Sequence, residues 1–258
     1  MEVFILVIRN RVRNRPLGLA LKGMRGTLFT ALGGSKLVLV NILIVDDHPL
    51  VRDAMAGIVV ELASAVEVLQ AADCARGLAL AQNGADIDLL LLDLNLPGVR
   101  GFEALEQFRH AHPALPVVVV SMYHDGDTVR EVIRRGAMGF IPKVCSKEII
   151  LGALRLVLSG AVYVPSQAMV EESGLTAMHS PGRAALSLAE LGLTPRQGEV
   201  LALMMRGCSN KLICRDLGLA ERTVKLHVTA ILNTLRVTSR THAVIVAAHM
   251  GLDAEHLF

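Results

Sequence analysis

The sequence predicts an α/β domain built on a doubly wound parallel sheet, followed by a smaller domain made only of helices. Two observations support this fold class. Between about residues 40 and 160, short runs rich in Leu, Val and Ile alternate with stretches of helical periodicity, the pattern of a parallel sheet covered by helices on both faces. From Leu193 onwards only helical patterns occur, and a tight turn at Gly218 joins two of them as in a helix-turn-helix.

Five strand–helix pairs are expected in the first domain. The predicted strands are 37–45, 66–70, 89–93, 116–121 and 138–141, and the predicted helices are 49–62, 73–83, 101–111, 127–135 and 146–159. Because crossovers between parallel strands are right-handed, these pairs form one doubly wound sheet. At 258 residues the chain is long enough for two domains, each with its own core.

The domain boundaries follow from shifts in composition. We expect residues 1–36 to be a basic, disordered extension, since residues 1–40 carry seven Lys and Arg against one acid. A basic tail that touches nucleic acid or membrane, and a start codon assigned too early, are the alternatives. The first domain is expected at 40–160, a linker rich in small residues at 161–188, and the helical domain at 189–254. The apolar run at residues 1–8 precedes its positive charges and is shorter than the ~18–20 residues of a bilayer span, so no membrane partner is expected.

Polar side chains stand where four of the predicted strands end. Asp46 and Asp47 follow the first strand, Asp93 the third, Ser121 ends the fourth and Lys143 lies just past the fifth. In a flavodoxin-like strand order these ends converge at one switch point. Crowded carboxylates with room for water select Mg²⁺, and a lysine with a hydroxyl suits a phosphoryl group on one carboxylate. Taken singly, the acid pair could be a helix cap, the serine a strand-end polar group and the lysine a solvated charge.

The second helix of the helix-turn-helix has two unlike faces. Its apolar positions recur at helical spacing and are predicted to face the core: Val224, Val228, Ile231 and Leu235. The opposite face carries groups able to meet base edges and phosphates: Arg222, Lys225, Leu226, Thr229 and Asn233, flanked by Thr223 and His227. Residues 206–240 hold seven Lys and Arg against two acids, a modest excess that a solvated helix face would also explain.

Residues from about 40 to 160 resemble the receiver domain of two-component response regulators, on the motifs "ILIVDDHPL", "LLLLDLNLPG", "VVVVS" and "GAMGFIPK". The resemblance implies that Asp93 accepts a phosphoryl group and that Mg²⁺ is bound by Asp47, Asp93 and the main-chain carbonyl of Asn95, with Asp46 acting through water. It further implies that Ser121 and Lys143 hold the phosphoryl oxygens and that Phe140 is the switch aromatic. Arg100 occupies a loop position that is usually small or acidic in this family.

The stretch from "LTPRQGEVLAL" to "AHMGL" is similar to the LuxR-type helix-turn-helix output domain. Receiver and output together resemble the NarL/FixJ family. The resemblance implies base contacts by Lys225, Leu226 and Thr229, and backbone contacts by Lys211, Thr223 and His227. Arg222 on the same face is a further candidate contact. Thr229 is often basic in relatives, and Gly198 stands inside a helix where relatives carry a charge.

The sequence therefore predicts a cytoplasmic transcription factor, not an enzyme, whose DNA binding is controlled by phosphorylation of Asp93. The expected partners are a sensor histidine kinase, double-stranded promoter DNA, RNA polymerase and, once phosphorylated, a second copy of the chain. A haloacid-dehalogenase-like phosphohydrolase is an alternative, although it would need a DxD loop after its first strand. A receiver that only scaffolds protein contacts is a second alternative. Four cysteines without CxxC spacing are typical of a reduced compartment.

Overall fold

The first domain is organised around a five-stranded parallel sheet. The computed structural model describes residues 29–30, 36–37, 39–82, 86–123, 125–165, 188 and 190–252. Two short antiparallel strands, β1 (Phe29–Thr30) and β2 (Lys36–Leu37), precede the sheet. The sheet strands are β3 (Leu39–Val45), β4 (Ala65–Ala71), β5 (Leu89–Leu92), β6 (Val117–Ser121) and β7 (Gly139–Pro142), in the spatial order β4-β3-β5-β6-β7.

Helices cover both faces of this sheet. They are α1 (Pro49–Val59), α2 (Cys74–Gln82), α3 (Glu103–Ala111), α4 (Gly126–Arg134) and α5 (Lys147–Ser159). Leu89 and Leu91 of β5 pack in one core with α1 and α5, whereas Leu90 and Leu92 pack in the other with α2, α3 and α4. Side chains alternate between the two faces of a strand, so a continuous apolar run is what a strand buried on both faces requires.

The second domain consists of four helices around its own core. They are α6 (Pro195–Met205), α7 (Asn210–Leu217), α8 (Glu221–Thr234) and α9 (Arg240–His249). Thr194 caps α6, and its side chain and that of Gln197 form a reciprocal capping box. Gly218 ends α7 in the left-handed region with φ of +64°, which gives the tight turn into α8. The α/β sheet followed by a helix-turn-helix domain confirms the predicted fold class.

The predicted element bounds differ from the observed ones by at most three residues. The first sheet strand begins at Leu39 rather than at Leu37, because Lys36 and Leu37 pair with β1 instead. Most of residues 1–36, and 166–187 of the expected linker, lie outside the described residues, so the domain boundaries stay predictions. No helix in the described parts of the chain combines the length and the hydropathy that crossing a bilayer requires.

Candidate functional site

The sheet order brings the predicted strand-end residues together at one edge. β5 lies between β3 and β6, and β7 lies beside β6. Asp46 and Asp47, which follow β3, therefore stand next to Asp93, which follows β5. Ser121 ends β6, and the backbone N–H of Lys143 donates to the Ser121 carbonyl at 2.9 Å. The convergence of the carboxyl ends of parallel strands was sufficient to predict this group from the sequence.

Lys143 links two of the carboxylates. Its Nζ lies 2.7 Å from Asp93 Oδ2 and 2.7 Å from Asp46 Oδ2, and all three side chains are less than a tenth exposed. Burial lowers the pKa of Lys143, but its hydrogen bonds to Asp46 and Asp93 outweigh that effect and raise the pKa above its ordinary value. A charged lysine held on two buried carboxylates is a fixed positive group at the mouth of the site.

The acidic residues have the donor set of a hard-cation site. Asp46, Asp47, His48 and Asp93 each offer a ligand atom, and these atoms lie within 4.8 Å of one another. Asp93 Oδ1 is buried and makes no hydrogen bond to any described residue. A buried carboxylate oxygen left without a donor, among other carboxylates, fits an oxygen-liganded cation such as Mg²⁺.

His48 and Arg52 are neighbours of the site that the sequence did not single out. His48 Nδ1 lies 2.6 Å from Asp47 Oδ1. The Arg52 guanidinium donates to the main-chain carbonyl of Asp46 at 2.6 Å. The position of His48, directly after the acid pair, was the available signal for the first contact. Arg52 offers a weaker one, since it lies one turn into α1 with a long side chain.

The remaining predicted site residues differ in accessibility. Ser121 is buried, and its Oγ accepts a hydrogen bond from the backbone N–H of Tyr123 at 3.2 Å. Phe140 is fully buried in the core under α4. Asn95 is exposed in the loop after β5. Ser121 and Phe140 are therefore both enclosed in this form of the receiver, and the roles proposed for them begin from these buried positions.

Helix α8 has the two faces that the sequence predicts, but its outer face is partly covered. Val224, Val228 and Ile231 are buried, whereas Arg222 and Leu226 are exposed. Thr223, Lys225, His227 and Thr229 are intermediate in exposure. The lysine that was expected to face solvent and DNA is instead turned towards the α/β domain.

Both lysines expected to bind DNA are held by the α/β domain. Lys225 Nζ lies 2.8 Å from Asp86 Oδ1 and donates to the Ile87 carbonyl at 2.9 Å. Lys211 Nζ lies 2.9 Å from Asp88 Oδ2 and donates to the Leu39 carbonyl at 2.5 Å. These acceptors stand where β3 and β5 begin, at the opposite end of the sheet from Asp93.

A second part of the same interface packs closely around Arg109. The Arg109 guanidinium of α3 donates through Nε to the Thr238 carbonyl at 3.1 Å and through Nη1 to the Leu115 carbonyl at 2.9 Å. Burial lowers the pKa of Arg109 to about 10. A Cβ built on Gly136 would lie 2.8 Å from the Ser239 Cβ, so the backbones approach as closely as glycine allows.

Comparison with known proteins gives one family for both domains. The family model described as "Response regulator receiver domain" matches residues 42–155, and that described as "Bacterial regulatory proteins, luxR family" matches residues 191–247. The "Glycerol metabolism activator" of Pseudomonas putida is 38% identical over 216 residues, which cover 83% of this chain and 97% of that protein. The "Nitrate/nitrite response regulator protein NarL" of Escherichia coli K12 is 34% identical over 205 residues, which cover 80% and 93%.

Among solved structures, a LuxR-family two-component response regulator from Aurantimonas sp. SI85-9A1 is 26% identical, with a TM-score of 0.48; the match covers 51% of this chain and 94% of that one. The sequence matches alone settle the family, because they span both domains and nearly the whole length of each curated relative. The chain belongs to the two-component response regulators that join a receiver domain to a LuxR-type helix-turn-helix domain, and it is a DNA-binding transcription regulator.

Proposed function

We propose that Asp93 accepts a phosphoryl group from a sensor histidine kinase, and that this event releases the helix-turn-helix from the receiver so that it binds promoter DNA. The observation that carries the proposal is the pairing of Lys211 and Lys225 with receiver carboxylates. A lysine cannot neutralise a DNA phosphate or reach a base edge while a carboxylate of the same chain holds it. The arrangement in which the receiver holds both lysines, here called the closed form, is then the inactive form of the regulator.

The receiver's own residues account for the transfer chemistry. The Asp93 carboxylate is the proposed nucleophile, and Lys143 already holds its Oδ2. As one of its oxygens bonds to phosphorus, the bond between phosphorus and the donor breaks and the donor leaves with its electron pair. Lys143 then binds an oxygen of the transferred group, and the Ser121 hydroxyl gives up the Tyr123 N–H to bind another.

Mg²⁺ is the cation proposed for the acidic cluster. Asp47, Asp93 and the Asn95 main-chain carbonyl would hold it, with Asp46 acting through water. When bound, it neutralises charge on the transferred group and orients it for in-line attack. The buried, unbonded Asp93 Oδ1 supports this assignment because an empty site would leave a desolvated carboxylate oxygen without compensation.

The open form would present the outer face of α8 to the major groove. Lys225, Leu226 and Thr229 are proposed to meet base edges, and Arg222 to lie beside them. The proposed backbone contacts are Lys211, Thr223 and His227. Ile245 on α9 is 47% exposed, which supports a symmetric pairing of two helical domains on a two-fold DNA site. RNA polymerase would be a further partner at the promoter.

The two alternative functions have less support. A phosphohydrolase of the haloacid-dehalogenase type would need a DxD loop after the first sheet strand, whereas β3 is followed by the adjacent aspartates Asp46 and Asp47 and then by His48. A receiver that only scaffolds protein contacts has no need to bury three aligned charged groups, because their desolvation costs stability.

The direct test combines labelling with DNA binding. Acetyl phosphate with Mg²⁺ should add one acid-labile phosphoryl group to the full chain and tighten its binding to DNA from its own promoter region. Asp93→Asn should abolish both effects, while Asp127→Asn, a change to an exposed aspartate on α4, should preserve both. Labelling of the Asp93→Asn variant at the wild-type level would rule out the assigned acceptor.

A further inference from the structure

The domain interface holds an unequal number of opposite charges at one point. Asp86 and Asp88 come from the receiver, Glu221 from the first turn of α8, and Lys211 and Lys225 from α7 and α8. With every group ionised, this cluster has three negative and two positive charges. An uncompensated charge is costly at the buried members of this cluster, and the surplus here is one negative charge.

The two lysines leave Glu221 with the weakest partner. Lys225 Nζ lies 2.8 Å from Asp86 but 3.5 Å from Glu221 Oε1. Lys211 is taken by Asp88 at 2.9 Å. The Glu221 side chain is only 21% exposed, so water replaces little of the missing compensation. Glu221 is therefore the carboxyl group on which the surplus charge falls.

Glu221 also lies against another carboxyl group across the interface. Its carboxyl group lies near enough to that of Asp88, whose side chain is 5% exposed, for Asp88 to raise the pKa of Glu221. Two carboxylates cannot share a hydrogen bond unless one of them carries a proton. Asp88 Oδ2 already accepts from the Asn41 backbone N–H at 2.8 Å and from Lys211. A proton shared by the pair would therefore reside on Glu221, whose nearest lysine nitrogen lies 3.5 Å away.

We infer that the closed form binds one proton at the domain interface, carried by Glu221 and shared with Asp88, so that rising pH opens the regulator in the absence of phosphorylation. Nothing in the transfer chemistry at Asp93 uses this site, which stands at the other end of the sheet. The inference rests on the proposed function only where opening is equated with DNA binding.

The pKa of Glu221 is consistent with this geometry. Burial, then the hydrogen bond to Asp88 and the charge of Asp88, raise it from 4.5 to about 8, while Lys225 and Lys211 oppose the shift. In the open form Glu221 is solvated, so its pKa returns towards 4.5. The proton on Glu221 stabilises the closed form fully below about pH 4.5, and this stabilisation is lost as the pH rises to about 8. Between these values the ratio of closed to open molecules falls by up to about tenfold per pH unit.

Other titratable groups at the interface define the useful pH range. His112 of the receiver has its pKa lowered by burial and by Lys225, so its protonation opposes closure below its ordinary value of 6.5. Burial raises the pKa of Cys214 on α7 to about 11, which keeps it a neutral thiol. Lys225 has a raised pKa and stays charged, since its carboxylate partners outweigh its burial. The arginines that line the same cleft, Arg109 and Arg240, have pKa values of about 10.

The test measures compactness of the unphosphorylated full chain by small-angle X-ray scattering at pH 6.5, 7.5 and 8.5. We expect the radius of gyration of the wild type to rise across this range. Glu221→Gln should stay compact throughout, because its neutral amide donates to Asp88 at every pH. Glu199→Gln removes a carboxylate of α6 that pairs with Arg196 within the helical domain, and should follow the wild type. Parallel profiles for Glu221→Gln and the wild type would overturn the inference.

A second measurement needs no substitution. The side-chain carboxyl ¹³C shift of Glu221, followed in the wild-type protein, should titrate with a midpoint near 8; a midpoint near 4.5 would refute a shared proton. DNA binding separates this inference from the proposed function. If pH opens the chain but no form binds DNA, the proposed function fails and the proton site stands. If phosphorylation switches DNA binding while scattering is flat with pH, only the proton site fails.

Discussion

The two ends of strand β5 carry similar groups and behave differently. Asp93 follows the strand and is bonded to Lys143 of the same domain, whereas Asp88 precedes it and is bonded to Lys211 of the other domain. At the Asp93 end the backbone of one sheet fixes all partners. At the Asp88 end the partners come from a second domain. The same pair of residue types thus lies at a proposed reaction end, which one domain builds and which is therefore permanent, and at a docking end, which two domains build.

The largest effect expected from this comparison is at the permanent end. Asp93→Asn should remove all phosphoryl transfer, since an amide oxygen is not a nucleophile of comparable strength. Asp88→Asn should leave transfer intact, because the docking end supplies no group to the reaction. Phosphate-affinity electrophoresis after acetyl phosphate treatment separates the two outcomes. Equal loss in both variants would mean that the two ends are not independent.

The next effect concerns the lysines released from the docking end. In the phosphorylated protein, Lys225→Ala should cost about 1–3 kcal/mol on the cognate site and reduce discrimination at one base position. Lys211→Ala should instead weaken specific and random DNA about equally and reduce the salt dependence by about one ion. Salt-titrated binding to both duplexes tests this. If Lys225→Ala kept the sequence preference of the wild type, the helix face predicted to contact DNA would be the wrong one.

A smaller effect is expected from loosening the docking end itself. Asp86→Asn removes the charge that holds Lys225 but leaves the Ile87 carbonyl in place. The unphosphorylated variant should therefore bind DNA more tightly than the wild type, by at most about tenfold. Asp127→Asn, whose partner Arg130 lies on the same helix, is the matched control. If neither variant bound DNA more tightly than the wild type, the closed form would not be what limits DNA binding.

The smallest effect separates packing from charge. Gly136→Ala places a Cβ 2.8 Å from the Ser239 Cβ, while Gly98→Ala, near the reaction end, meets nothing within 4 Å. Both positions have positive φ, of +94° and +80°, so the backbone strain is comparable. Both should lower the unfolding free energy by about 1–2 kcal/mol, but only Gly136→Ala should increase the radius of gyration of the unphosphorylated chain. An increase in both would mean that strain alone opens it.

The reaction end could be predicted from the sequence and the docking end could not. Asp46, Asp93 and Lys143 each stand directly after or just beyond a strand, and the topology of parallel sheets brings such positions together. Asp86 and Lys225 are separated by 139 residues and belong to different domains, so no periodicity relates them. Lys225 lies on the face of α8 away from the buried Val224 and Val228, but amphipathicity does not reveal which surface covers a polar face. Only the docked arrangement supplies that information.

Gly198 illustrates a second limit of sequence reasoning. Inside α6 a glycine is expected to cost about 0.5–1 kcal/mol of helix stability relative to alanine. A Cβ at this position would lie 2.4 Å from Leu188 Cδ1, so the leucine packs directly on the helix backbone. The cost to helix stability stays a prediction, whereas the contact depends on a residue that precedes the helix and could not be inferred from spacing.

The four leucines between the two ends also determine how the ends can communicate. β5 is hydrogen-bonded on both sides and its side chains are at most 1% exposed, so its amides should exchange with solvent only when the whole domain unfolds. We therefore do not expect β5 to unfold locally. At about 3.3 Å per residue, Asp88 and Asp93 stay roughly 16 Å apart. We therefore expect a displacement at one end to reach the other as a tilt or shift of the whole strand.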